Sequence, residues 1–343
     1  MLTFPKLQPG DKVAVLSPSF AAPGKWPHVY ELELERLRTV FDLEPVEFPA
    51  TKKLGATKEE RAADLIAAFK RPDIKAVIAT LGGDDQVTYI KNLPTEPFAQ
   101  NPKPFFGFSD NTHFAYFLYQ LGIPSYYGGC LFTQFAMQYE MELFTVRYLR
   151  HALFESGEVE LAASPTYSDI GSDWNDPSSL DTPLTQEQNE SWQWDGAGSA
   201  AGVTWGGCLE SIDEMLRHNI ALPSLESFKD TVFITETSEE VPSHDYVRRV
   251  FRALGVRGVL ERVQGLLVGR PQAANFDIQP TAEEKYVYRA AQRETIVAVV
   301  REYNTTAPIV LNMDFGHTNP QIPMPYGGWV RINGQARKVL ATF

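Results

Sequence analysis

Short apolar runs alternate with stretches of helical periodicity along the first half of the chain. The runs typical of buried strands are residues 12–16, 76–80 and 105–108. The stretches with apolar side chains three and four residues apart, which predict helices, are residues 28–41, 59–69 and 111–121. Because parallel strands need a crossover between them, this alternation predicts a parallel sheet with helices on both faces.

The pattern breaks at residue 163 and resumes at residue 201. The segment between them is polar and rich in Ser, Pro, Asp and Gly, which indicates a connection between two domains. It also contains Trp174, Trp192 and Trp194, more tryptophan than a flexible linker needs. These side chains either anchor the linker on a domain, or one of them stacks on a ligand.

The alternation returns in the second half of the chain. The predicted strands there are residues 201–205, 231–235, 263–268 and 308–311, and the predicted helices are residues 208–216, 244–254 and 282–302. A terminal hairpin is predicted around Asn333-Gly334, from residues 329–332 and 338–342. We therefore predict an α/β protein with an N-terminal α/β domain (1–162), a linker (163–200) and a C-terminal β/α domain (201–343).

Composition narrows the functional classes. The 343 residues include 43 acidic and 31 basic side chains, for a formal charge of −12. Such a surface repels phosphate, so nucleic acid is not expected as the main partner. Cys130 and Cys208 are too few for a disulfide framework or a cysteine zinc site, and no metal-binding motif occurs. No segment approaches the roughly 18 apolar residues of a membrane span. We expect a cytoplasmic protein that has no membrane segment, metal or other cofactor.

A serine follows the predicted strand at residues 105–108 directly, and a helix comes next. Ser109 would then stand on a tight turn at the carboxyl edge of the sheet, beside the free N–H groups of a helix N-terminus. This is the layout of a nucleophile elbow, although the motif Gly-x-Ser-x-Gly has Asn111 at its last position here. The alternative is that Ser109 only caps the helix.

A loop histidine at the end of another predicted strand is the first candidate for a base. His317 lies in residues 312–320, and histidine titrates near neutral pH. His113 ranks second, since it is four residues after Ser109 and could share a helix face with it.

Three carboxylates are candidates to orient the histidine. Glu236 ends a predicted strand, Glu210 falls within a predicted helix, and Asp314 is close to His317 in sequence. The residues alone leave this choice open.

Paired glycines follow the predicted strand at residues 76–80. Gly82 and Gly83 let backbone N–H groups come close to a ligand, as in an oxyanion hole or an anion nest. Asp84 and Asp85 come next, and their carboxylates would repel phosphate, so no nucleotide-phosphate role is assigned. The alternative is a plain turn capped by an aspartate.

Taken together, these motifs resemble the LD-carboxypeptidase family of serine peptidases, including its branch of microcin C self-immunity proteins. The segments that carry the resemblance, in order, are residues 7–19, 81–85, 107–112, 205–209, 233–236 and 314–320. The resemblance implies an N-terminal parallel-sheet domain of the flavodoxin or glutamine-amidotransferase type, a C-terminal β/α domain and an active site between them. It implies a catalytic triad of Ser109, His317 and Glu236, and an oxyanion hole from the N–H groups of Gly83 and Asp110. Homodimers are common in the family.

The glycine turn and the tryptophan-rich linker are similar to the microcin branch. There the resemblance implies that a linker aromatic, Trp192 or Trp194, stacks on a nucleobase, with Gly82, Asp84 and Cys208 also at the substrate. One departure is Cys208, where the family usually has Asn.

These expectations amount to a metal-free serine peptidase or amidase that acts on a small molecule or short peptide. The substrate implied is a peptidyl- or aminoacyl-nucleotide, cut at an amide bond. Two alternatives stay open. One is an LD-carboxypeptidase that recycles murein tetrapeptides, and the other is a non-catalytic binding protein on the same scaffold.

Overall fold

A computed structural model describes residues 1–137 and 139–343. Its helices are α1 (Ala22–Lys25), α2 (Pro27–Thr39), α3 (Lys58–Lys70), α4 (Glu96–Gln100), α5 (Thr112–Gln120), α6 (Leu143–Phe154), α7 (Leu209–Arg217), α8 (His244–Val256) and α9 (Ala282–Tyr303). Its strands are β1 (Lys12–Leu16), β2 (Glu44–Glu47), β3 (Ile74–Ala79), β4 (Phe105–Gly107), β5 (Ser125–Tyr127), β6 (Glu158–Glu160), β7 (Thr166–Tyr167), β8 (Glu187–Gln188), β9 (Gln193–Asp195), β10 (Ser199–Cys208), β11 (Thr231–Glu236), β12 (Gly265–Gly269), β13 (Ile309–Met313), β14 (Met324–Tyr326), β15 (Trp329–Asn333) and β16 (Lys338–Thr342).

The first sheet has the order β14-β5-β4-β3-β1-β2. Strands β1 to β5 run parallel, and β14 adds an antiparallel edge. The parallel sheet predicted for the first half of the chain is therefore confirmed. Helix α3 begins where predicted because Thr57 and Glu60 form a capping box, in which each side chain accepts a backbone N–H of the other.

The second sheet has the order β6-β16-β15-β10-β11-β12-β13-β9. Its centre, β10 to β13, is parallel, and antiparallel strands flank it on both sides. Thr281 and Glu284 form a second capping box at the start of α9. The predicted terminal hairpin is present as β15 and β16, with Asn333 paired to Lys338.

The division of strands between the two sheets does not follow the domain boundaries predicted at residues 162 and 200. Strand β6 belongs to the second sheet, β14 returns to the first sheet, and β9 of the predicted linker forms an edge of the second sheet. The sequence did not predict these strands, because two or three residues are too few to display a strand period. The domain boundaries therefore stay a prediction, with the two sheets exchanging strands across them.

The carboxyl ends of the parallel strands in both sheets meet at one cleft. The backbone N–H of Cys208, at the end of β10, donates to Thr112 Oγ1 over 3.1 Å. Ser211 Oγ donates to the carbonyl oxygen of Ser109 over 3.3 Å. Since open parallel sheets place their ligand sites outside the carboxyl ends of the strands, this cleft is the first place to look for a functional site.

None of the described helices has the length and apolar character needed to cross a membrane.

The packing of the second sheet gives a stability prediction. Leu267, in the middle of β12, is fully buried, whereas Leu143, at the start of α6, is 85% exposed. Leu267→Ala is expected to lower the free energy of unfolding by about 2–5 kcal/mol, because it removes buried methyl groups and leaves a cavity. Leu143→Ala, the matched control, should change it by less than about 0.5 kcal/mol. Urea denaturation followed by circular dichroism measures both, and equal losses would contradict the packing described.

Candidate active site

Ser109 stands at the turn between β4 and α5 in a conformation rare for any residue but glycine. Its φ angle is +62°. The surrounding hydrogen bonds hold it there: its N–H donates to Tyr127 Oη (3.3 Å), and its carbonyl oxygen accepts from Thr112 Oγ1 (2.6 Å). Among the described residues its hydroxyl makes no capping hydrogen bond to the helix. This backbone strain and free hydroxyl fit the elbow interpretation better than the capping one.

The glycine turn after β3 lies directly against Ser109. A Cβ atom on Gly82 would stand 3.0 Å from Ser109 Cβ and 3.1 Å from Ser109 Oγ. A side chain at this position would crowd the Ser109 hydroxyl, so glycine lets the turn come this close without displacing it. The capping alternative for the aspartates receives no support, since the carboxylate of Asp85 pairs with Arg61 (2.5 Å) and does not cap the following turn.

His317 contacts one of the three carboxylates among which the sequence could not decide, and that carboxylate is Glu236. His317 Nδ1 lies 2.6 Å from Glu236 Oε2. Of the competing carboxylates, Glu210 accepts from Ser238 Oγ (2.8 Å), and Asp314 accepts from the buried Arg270 (2.6 Å). Both are therefore engaged elsewhere, and Glu236 is the one of the three that contacts His317.

Glu236 is almost completely enclosed. It is 1% exposed. A Cβ atom on Gly269 would stand 2.7 Å from Glu236 Cβ, and one on Gly316 would stand 2.5 Å from Glu236 Cγ. Gly316 has a φ angle of +97°, which allows its loop to turn back over the carboxylate. These contacts fix the side chain in the orientation that meets His317.

Sequence reasoning missed Tyr127, which connects the two halves of the site. Its buried hydroxyl donates to Glu236 Oε1 (2.5 Å) and accepts the N–H of Ser109 (3.3 Å). Burial and the charge of Glu236 hold the pKa of Tyr127 well above its usual range, so it stays a hydrogen-bond donor. Its position offered a signal: Tyr127 ends a strand before Gly128-Gly129, as β3 ends before Gly82-Gly83.

The imidazole of His317 has carboxylates at both nitrogens. Nε2 lies 3.1 Å from Glu239 Oε2, on the side opposite Glu236. Burial alone would lower the pKa of His317, but the charges and hydrogen bonds of Glu236 and Glu239 outweigh it and hold the pKa well above its usual range. Desolvation likewise opposes ionisation of Glu239, yet the hydrogen bond and charge of His317 lower the pKa of this carboxyl to about 2.

The second-ranked histidine has other partners. His113 Nε2 lies 3.0 Å from Glu214 Oε2 and 3.6 Å from Asp110 Oδ1. Together these side chains offer three possible ligand atoms within 4.8 Å of one another, a donor set that suits a divalent metal ion. As they stand, His113 of α5 pairs with Glu214 of α7 and with Asp110 in the turn before α5, which is a structural role.

Two cavities adjoin Ser109. One, of 360 Å³, is lined by Gly82, Gly83, Ser109, Trp174 and His317 and by several phenylalanine side chains. The other, of 460 Å³, is lined by Gly83, Asp84, Ser109, Asp110 and Cys208 and by further carboxylates. Of the site residues that the family resemblance implies, all except Trp192, Trp194 and Glu236 line one cavity or the other.

The linker tryptophan that lines a cavity beside Ser109 is Trp174, whereas the sequence pointed to Trp192 or Trp194. Trp192 Nε1 donates to Asp314 Oδ2 (2.8 Å), and Trp194 pairs with Val310 in β13. Neither lines a cavity beside Ser109. The reason is that β9 binds along β13, whereas the site lies beyond the carboxyl end of that strand.

Cys208 ends β10 and lines the second cavity. It is 2% exposed, and its Sγ lies 3.2 Å from Glu210 Oε2. Burial and the nearby carboxylates hold the pKa of the thiol well above its usual range, so it stays neutral.

Comparison with known proteins identifies the family of the chain. The family model for the LD-carboxypeptidase N-terminal domain matches residues 13–128. The family model for the LD-carboxypeptidase C-terminal domain matches residues 201–332. The chain belongs to the LD-carboxypeptidase family. This family of serine peptidases is the one whose motifs the sequence resembles, and the two matched regions contain Ser109 in the first and Glu236 and His317 in the second.

Several known proteins are similar to this chain over most of their length. A Treponema pallidum protein is 29% identical over 280 residues, which are 81% of this chain and 76% of that one. The microcin C7 self-immunity protein MccF of Escherichia coli is 22% identical over 84% of this chain and 79% of its own. A crystal structure of an MccF-like protein from Streptococcus pneumoniae, in complex with AMP, is 25% identical and superposes with a TM-score of 0.83, covering 97% of this chain and 98% of that one.

The buried carboxylate generates a prediction about its histidine. Glu236→Gln should lower the pKa of His317, because the charge of a carboxylate in contact favours the imidazolium and a neutral amide does not. An NMR titration of the imidazole signals measures this. Glu261→Gln, whose side chain is 64% exposed and pairs with Arg262, is the matched control and should leave His317 unchanged. An unaltered pKa in Glu236→Gln would contradict the pairing described.

Proposed function

We propose that the protein is a metal-free serine amidase that cleaves the amide bond of an aminoacyl- or peptidyl-nucleotide. In this proposal Ser109 Oγ attacks the carbonyl carbon, and His317 Nε2 takes the hydroxyl proton and gives it to the leaving nitrogen. The N–H groups of Gly83 and Asp110 stabilise the oxyanion. Water then attacks the acyl-enzyme, again through His317, and releases the free acid.

Glu236 and Tyr127 serve this chemistry without touching the substrate. Glu236 orients His317 through Nδ1 and stabilises its cation, which is the part the third member of a triad takes. Tyr127 joins the Ser109 backbone to the same carboxylate, so it fixes the position of the nucleophile relative to the base. Both are positioning residues.

The observation that carries the choice of substrate is Trp174 in the wall of the cavity that also contains Ser109 and His317. Trp26 and Phe132 pack edge-on against its indole, with ring centroids at 5.1 Å and 5.3 Å. They hold the ring in place, as a stacking platform for a nucleobase requires. The relative from Streptococcus pneumoniae that was solved with AMP supports this choice. The homodimer and the cytoplasmic location remain predictions from the sequence.

Replacement of Ser109 tests the reaction. The purified protein should release the amino acid from an aminoacyl-sulfamoyl adenosine, and Ser109→Ala should abolish turnover while the circular dichroism spectrum stays unchanged, because no other hydroxyl replaces the nucleophile. Mass spectrometry of the products measures this. A parallel digest contains an L,D-linked murein tetrapeptide. Cleavage of that peptide alone would assign the protein to wall recycling, and binding without cleavage of either would assign it to the non-catalytic class. Undiminished turnover by Ser109→Ala would exclude the serine mechanism.

Replacement of Trp174 tests whether this side chain binds the nucleobase of the substrate. Trp174→Ala should raise KM for the aminoacyl-sulfamoyl adenosine about 5- to 150-fold, since one stacked base contributes roughly 1–3 kcal/mol. Trp194→Ala is the matched control, because this half-buried tryptophan lies in β9 and lines neither cavity beside Ser109. Steady-state kinetics of both variants decides the matter. Equal effects of the two substitutions would contradict a nucleobase site at Trp174.

A further inference from the structure

The nitrogen of His317 that must accept the Ser109 proton has another partner in the free protein. Glu239 Oε2 lies 3.1 Å from Nε2, and among the described residues no hydrogen bond joins His317 to the Ser109 hydroxyl. A protonated imidazole that donates from both nitrogens to carboxylates has no lone pair with which to act as a base. The contact with Glu239 must therefore be broken before the proposed reaction starts.

Glu239 is placed so that it can move. Its side chain is 61% exposed, in the loop between β11 and α8, whereas Glu236 is enclosed. Two residues further on, Val241 has a φ angle of +53°, which is unfavourable for a β-branched side chain. This loop is thus held in a strained conformation, and Glu239 is the one of the two histidine partners that a ligand reaches.

Glu239 also stands where the two cavities meet, since it lines both. The second cavity is strongly acidic. Besides Glu239, the carboxylates that line it are Asp84, Asp110, Glu210, Asp213, Glu214 and Glu240. The cationic side chain in its lining is Arg217, which pairs with Asp213 at 2.5 Å.

One carboxylate of this cavity has an unsatisfied oxygen. Asp110 is 3% exposed, and its Oδ1 has no hydrogen-bond partner among the residues that the structure describes, although His113 Nε2 faces it at 3.6 Å. A buried acceptor without a donor is costly, and a cationic donor entering the cavity would reduce that cost. The acidity of the cavity and the open acceptor independently point to a positively charged ligand group.

The proposed function indicates which part of the substrate carries the positively charged group. Ser109 lies between the cavities, and the scissile bond must be placed over it. The nucleotide, which is the leaving group, takes the aromatic cavity with Trp174. The acyl part, with its ammonium group and its side chain, then faces the acidic cavity.

We propose that Glu239 selects substrates with a cationic acyl group and couples their binding to the release of His317. This proposal rests on the proposed function and specifies its substrate class. The cationic group, such as that of a lysyl or arginyl residue, draws the Glu239 carboxylate away from Nε2. Without this partner the pKa of His317 falls, the Nε2 proton passes to solvent water, and the lone pair of Nε2 becomes available to Ser109. An acidic acyl group meets only repulsion and leaves the base occupied.

The other groups around His317 do not provide this coupling. Glu236 faces Nδ1, Tyr127 contacts Glu236 from the first sheet, and the ring of Phe108 packs against the imidazole with centroids 4.9 Å apart. Glu210 interacts electrostatically with Glu236 but is bonded to Ser238. Loss of the Glu239 charge should therefore lower the pKa of His317 while the pairing with Glu236 remains.

Kinetics with three substrates that differ only in the acyl group tests the proposal: lysyl-, alanyl- and glutamyl-sulfamoyl adenosine. The wild type should prefer lysyl to glutamyl by about tenfold or more in kcat/KM. Glu239→Gln should raise KM for lysyl about fivefold, raise kcat for alanyl, and shift the acid limb of the pH profile to lower pH. A merely structural role would lower the activity on all three together, and that result, or an unmoved acid limb, would overturn the proposal.

Glu240→Gln is the matched control, since it removes the adjacent carboxylate of the same cavity and leaves Nε2 paired. It should weaken binding of the lysyl substrate but not move the acid limb. An equal shift of the acid limb in both variants would overturn the role assigned to Glu239.

A second measurement separates failure of this proposal from failure of the proposed function. If the wild type cleaves none of the three nucleotides, the proposed function fails, and an NMR titration of His317 with lysinamide still tests the contact. Lysinamide should lower the pKa of His317 in the wild type and leave it unchanged in Glu239→Gln. Absence of any effect in the wild type would overturn the proposal without reference to turnover.

Discussion

The site depends on one buried carboxylate that receives hydrogen bonds from both sheets. Glu236 ends β11, is 1% exposed, and is bonded by His317 Nδ1 from the second sheet and by Tyr127 Oη from the first. Removing one partner of a buried ionic pair typically costs about 3–5 kcal/mol, because the remaining charge has no compensation. The cleft can therefore not widen at this point without a large loss of stability. The geometry of Ser109 relative to His317 follows from that constraint, since Tyr127 also accepts the Ser109 N–H.

Space for this carboxylate comes from missing side chains. The end of β12 at Gly269 and the loop that carries Gly316 pass so close to Glu236 that a methyl group on either glycine would collide with it. Gly82 allows the same kind of approach to Ser109 on the opposite wall of the cleft. The glycines thus set the distances of the site, and the polar residues set its chemistry.

Features with a local sequence signal were predictable, whereas features that depend on contacts between distant segments were not. Long buried strands and capped helices carry their own signals, so the parallel sheets were found, and Ser109 and His317 were found at strand ends. The choice of Glu236 over Glu210 depends on which carboxylate meets the histidine in space, which no local pattern encodes. Trp174 was passed over for Trp192 and Trp194 because the course of the linker depends on the pairing of β9, a strand too short to predict. Tyr127 was missed because β5, Ser125-Tyr126-Tyr127, follows a proline and has no apolar run to mark it as a strand, unlike β4, which has the same length.

The electrostatics of the cleft are asymmetric in a way that bears on the chemistry. A general base works best when its pKa lies near the working pH, yet His317 lies between two carboxylates that hold its pKa well above its usual range. Glu236 is enclosed and bonded to both His317 and Tyr127, so the pKa of His317 can return toward neutrality only through Glu239, which is the exposed partner. In the proposed mechanism, the charge that approaches Glu239 from the acidic cavity therefore sets the protonation state of the base. Binding and activation then become one step, because the interaction that recognises the acyl group is the same one that frees the nitrogen facing Ser109.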